Sequence, residues 1–188
     1  MLYDTSDYPE EIRMTNPESL RGLARMLDRS ANRLPQAEDL RRGTDITPGL
    51  DEVASNVSWT LWQITNELVV SYSRETRQPL PHDGALNAAA ISGCAAPLGT
   101  ALKHLGSAAD RLSSHHHVLR PRATAPFQVP EDLLASLQRD ISRARTAIRR
   151  AARRLRENAV RLQSAGTSPL GGSGTVPLPV APEARQAG

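Results

Sequence analysis

The chain has 188 residues, the length of one domain, and only six of them are aromatic, so any core must be built from Leu, Ile, Val and Ala. Net charge is +3, and 22 of the 23 basic residues are Arg, with Lys103 the single lysine; beside so much Ala, this is the usage expected of a GC-rich genome. One cysteine, Cys94, excludes an intrachain disulfide, and the acidic opening residues lack the basic-then-apolar order of a signal peptide, so the expected location is cytoplasmic.

Residues 1–15 are expected to form an acidic N-terminal arm, with Tyr3, Tyr8, Ile12 and Met14 as its apolar positions. A helical domain is expected over 16–166. The spacing predicts a first helix over about 17–34, opened by Asn16-Pro17 and carried by Leu20, Leu27 and Leu34 at intervals of seven. A second is predicted over 48–77, with Thr47-Pro48 at its start and Leu50, Val57 and Ile64 in the seam. A third covers 84–119 through Ile91, Leu98, Leu105, Leu112 and Leu119, with a kink or break near Pro97, whose ring crowds the preceding turn. Its first part belongs to an uncharged run, Gly84–Leu102, too rich in Gly, Ala and Ser to span a membrane. The fourth covers 130–165, from Pro130 with Glu131 and Asp132 through Ile141, Ile148 and Leu155 to Gly166. Apolar positions recur twice per heptad in all four helices, and no stretch alternates like a strand. The fold class is therefore all-α: an up-down four-helix bundle of long, coiled-coil-like helices with short links. From 167 to 188 the sequence is rich in Gly, Pro and Ser and loses the period, as expected of a disordered tail.

The second helix has little polar surface. With Leu50 at zero and 100° per residue, its stripe lies near 0°, Trp62 and Val69 at about 100–120°, and Trp59 and Val70 at about 180–200°. Trp59, Trp62, Val69 and Val70 are therefore candidates for a protein interface, because Trp is a common anchor residue; cover by the N-terminal arm is the alternative. The fourth helix is dominated by arginine, seven of them within residues 141–158. Arg139, Arg143, Arg150, Arg153, Arg154 and Arg161 fall opposite the seam and form a candidate anion or nucleic-acid face. Arg145, Arg149 and Arg156 flank the seam, where they can reach a neighbouring helix; residues 1–52, with eleven acidic residues and seven Arg, offer the opposite charge.

Catalytic and cofactor chemistry is missing from the pattern. His115, His116 and His117 are consecutive, so on a helix they point about 100° apart and cannot share one ion. The residues three before His82, His104 and His115 are Pro79, Ala101 and Leu112, which excludes the Glu-x-x-His pattern of carboxylate-bridged metals. There is no phosphate loop or nucleophile elbow. The expected function is non-catalytic: association with a protein partner or with a second copy, without cofactor, metal or membrane. The alternative is a nucleic-acid-associated accessory protein using the arginines of the last helix, although that helix has no aromatics for stacking on single strands.

Overall fold

A computed structural model describes residues 16–41, 45–75, 88, 91–119 and 130–166, without the side chains of 37, 71–75, 115–119, 165 and 166. The arm over 1–15 and the tail over 167–188 lie outside the described residues. Among the described residues, the helices with defined bounds are, in order, α1 (Pro17–Arg33), α2 (Ala37–Arg41), α3 (Thr47–Glu75), α4 (Ala95–Leu119) and α5 (Glu131–Gly166).

Each long helix packs on two others, in the ring α1–α3–α4–α5–α1. Cross-helix bonds fix the directions. Ser30 meets Asn56 while Arg33 meets Glu52, so α1 and α3 run antiparallel. His104 meets Asp140 while Arg154 reaches the Gly93 carbonyl, so α4 and α5 do as well. Arg21 meets Gln163 and Arg149 meets Asn32, which closes α5 antiparallel on α1. This is the up-down four-helix bundle.

The heptads supply the core. Leu20, Leu27, Val57, Ile64, Leu98, Leu105, Ile141, Ile148 and Leu155 are all buried. α5 also buries Ala147, Ala152 and Ala159 outside its seam, because α1, α2 and α4 all pack on it. Small side chains there let the neighbouring backbones approach. Among the described residues, α3 has the least extensive contacts of the four long helices, despite its 29 residues.

Helix starts follow local chemistry. Asn16 accepts a hydrogen bond from the Glu18 amide at 2.9 Å, with Pro17 in the first turn. α3 differs from the expected Thr47 cap: Thr47 is already helical, and Asp45 accepts from its amide at 3.0 Å. The reason is Ile46, which is buried and draws the chain inward one residue earlier. The short α2 is not apparent from the heptads. It turns the α1–α3 connection into packed structure, burying Leu34, Leu40 and Ile46, with Asp39 accepting from the Gln36 amide at 2.9 Å in half of a capping box.

The third predicted helix is broken just before Pro97, the break being one of the two outcomes expected there. Gly93 and Cys94 form a turn, in which the Cys94 amide donates to the Ile91 carbonyl at 2.9 Å, and α4 restarts at Ala95. Pro97 thus stands in a first turn, where a missing amide hydrogen removes no helical bond. Among the described residues, no helix is long and apolar enough to cross a membrane.

Candidate association face and the arginine helix

On α3 the buried stripe runs through Leu50, Val53, Val57, Thr60 and Ile64. Thr60 enters the core because its hydroxyl donates back to the Asn56 carbonyl at 2.8 Å, leaving no bare donor inside. Trp59 is half-buried and packs against the core, and Val70 is also half-buried. The Ser30–Asn56 bond sets the α1–α3 register, which brings Trp59 level with the half-buried Met26. Trp62 and Val69 are different: they are 54% and 58% exposed. They share their angular sector with Asp51, which lines a cleft between α3 and α4. The exposed pair therefore continues the sector of α3 that borders the cleft at Asp51, three and more turns further along the helix.

The α4 side of the outer groove between these two helices is small and uncharged. Gly99, Gly106 and Ser113 are exposed at intervals of seven. A Cβ placed at either glycine meets nothing within 4 Å, so packing inside the bundle does not require glycine there. Around Gly106 the groove deepens into a cleft of about 360 Å3, floored by Leu50, Ala54, Leu105, Ala109 and Leu112.

The arginines of α5 separate into three groups. Arg145, Arg149 and Arg156 turn onto α1. Arg145 donates through Nε to the Ala31 carbonyl at 3.2 Å, and through Nη2 to Leu34 and Pro35 at 3.0 and 2.9 Å. It thereby closes the C-terminal end of α1, which has no glycine cap, and sits at the negative pole of that helix. Burial, with a smaller contribution from Arg149, lowers the Arg145 pKa. Arg149 meets Asn32 at 3.0 Å and Arg156 pairs with Asp28. The second group is locally engaged: Arg153 pairs with Glu157 at 3.5 Å, and Arg154 holds the Gly93 carbonyl at the break before α4. Arg139, Arg143, Arg150 and Arg161 are exposed and have no ion-pair partner among the described residues. These four lie within about 40° of arc on the helix.

One polar cluster is not evident from the heptads. Asp140 is buried, accepting from His104 Nδ1 at 3.2 Å and from Arg111 Nε at 3.2 Å. Its sequence signal was the period: Asp140 stands four residues before Ala144 and seven before Ala147, on the edge of the buried stripe. Cys94 is buried too, and burial pushes its thiol up to about 11, outweighing the opposing pull of the Arg154 guanidinium. Such a thiol is a poor nucleophile. Among the described residues no three His, Cys, Asp or Glu are grouped to hold a metal; the side chains of His115, His116 and His117 lie outside the described residues. No protein-family model, curated protein or solved structure matches the chain.

Proposed function

We propose that this chain is a non-catalytic helical protein that works by protein–protein association, with the outer α3–α4 groove as its docking face and a second copy of itself as the occupant. The observation that carries this reading is Trp62, an exposed indole on α3, together with glycines on the neighbouring α4 that the bundle itself does not need. Trp is enriched at interface anchors, and glycine lets another backbone approach closely. A large knob and a shallow groove on one surface suit a two-fold contact, in which each copy places its Trp62 over the Gly99–Gly106 face of the other.

Sedimentation of the full chain across a concentration series tests this. The expected result is a reversible dimer that weakens at least tenfold in both Trp62→Ser and Gly99→Leu, with helix content by circular dichroism unchanged. A wild type that stays monomeric throughout would overturn self-association. Capture of a different protein by the wild type and not by Trp62→Ser would keep the face and change the occupant.

A further inference from the structure

We propose that the groove between α4 and α5 is a binding site for a phosphate group, clamped by Arg143 and Arg150 and read by His104. The groove is a cleft of about 230 Å3 lined by Thr100 and His104 of α4 and by Ser142, Arg143, Thr146 and Arg150 of α5, with Ala147 beneath. At about 30 Å3 per water molecule, this holds a tetrahedral oxyanion and several waters.

Its donors are poised for an anion. Arg143 and Arg150 are seven residues apart on one side of α5, about 10 Å along the axis, so both long arms can converge on the space between them. Neither has an ion-pair partner among the described residues, whereas Arg145, Arg153 and Arg156 nearby on the same helix are engaged. The hydroxyls of Thr100 and Thr146 donate to the Ala96 and Ser142 carbonyls at 3.0 and 2.9 Å, so the charged donors come from the arginines. Guanidinium groups favour phosphate because their paired N–H groups match two oxygens at once.

His104 determines which oxyanion fits. Its Nδ1 faces the Asp140 carboxylate, which is itself fixed by Arg111. The carboxylate accepts, so the proton sits on Nδ1 and Nε2 is the ring nitrogen left for a ligand. A neutral ring then offers Nε2 as an acceptor, and a protonated ring offers it as a donor. Phosphate groups change protonation at about pH 6–7. Inorganic phosphate keeps at least one P–O–H in both of these forms, so it can donate to a neutral ring and accept from a charged one. Sulfate carries no proton near neutrality and matches only the charged ring. Phosphate, which has a donor as well as acceptors, should therefore bind better than sulfate, which has only acceptors.

The test follows the arginine Nε–H and histidine resonances of the full chain by NMR during titration with inorganic phosphate near pH 7.5 at constant ionic strength. Saturable shifts are expected at Arg143, Arg150 and His104, with Arg139 and Arg161, on the same stripe but outside the cleft, unmoved. Arg143→Gln and Arg150→Gln each change an exposed side chain and should weaken binding about tenfold or more without loss of fold. His104→Gln should lose the preference for phosphate over sulfate. Titration with a phosphate monoester, phenyl phosphate, then separates a free-anion site from one for a phosphorylated molecule: tighter binding than inorganic phosphate assigns the latter, and weaker binding the former. Non-saturating shifts shared by all four arginines would overturn the site, as would equal affinity for sulfate. So would a DNA duplex that moves all four arginines under conditions where phosphate moves none, because α5 would then be a polyanion track.

Discussion

Arg145→Gln isolates one of the nine arginines on α5 as a structural element. In the folded chain its guanidinium serves three carbonyls, those of Ala31, Leu34 and Pro35, where α1 ends without a glycine. A hydrogen bond involving a charged group contributes about 1.5–3 kcal/mol. Three bonds to one half-exposed guanidinium are not additive, and water replaces part of what is lost. The expected cost is about 2–3 kcal/mol, a large share of the roughly 5–15 kcal/mol that stabilises an ordinary domain. Arg145→Lys should recover only part of it, since an ammonium retains the favourable charge at the helix end but cannot span three carbonyls. Arg143→Gln, two residues away and exposed, should stay within about 0.5 kcal/mol. Urea denaturation followed by circular dichroism measures all three, and the midpoint should move while the slope stays constant. If Arg145→Gln proves as mild as Arg143→Gln, the carbonyl clamp does not hold α1 and the assignment fails.

The heptad core makes a second prediction: Leu105→Ala and Ile148→Ala should each cost about 2–5 kcal/mol in the same assay, because both side chains are enclosed and leave cavities. Gly99→Ala and Gly106→Ala should each stabilise the monomer by about 0.5–1 kcal/mol, since the added methyl meets open space and alanine is the better helix former; a destabilised monomer would show that the groove is tighter than described. Cys94 should resist thiol reagents at pH 8 until the chain is unfolded by denaturant. Because its folded pKa is raised to about 11, the contribution of the neutral thiol is complete below the unfolded value near 9 and is lost as pH climbs through 11; Cys94→Ala should flatten that alkaline decline.

The sequence by itself determined the helices and their inward faces. A repeat of seven with two apolar positions leaves one stripe that must leave water, and Leu20, Val57, Leu98 and Ile148 lie in the core for that reason. Short links between such helices then dictate antiparallel neighbours, and an all-α bundle follows. Local rules reached less far where two of them compete. A proline inside a continuous heptad predicts a kink or a break at Pro97 without choosing between them, and the preceding Gly93–Cys94 turn, where the helix ends and restarts, decides for the break. The five residues of α2 are too few to show a period, and their place depends on α5 as a packing surface. The arginines were the least legible. Helical angle says which of them leave the seam, not what stands opposite. Angle already sets Arg145, beside the seam, apart from Arg143, opposite it, but only the arrival of α1 gives Arg145 its three carbonyls, and only that of α4 gives Arg143 a cleft. The same holds for Trp59 and Trp62, three residues apart: α1 lies level with Trp59, while Trp62 stays exposed. Periodicity is a property of one helix and can be read along the chain, whereas a partner is a property of two and exists only once the helices have packed.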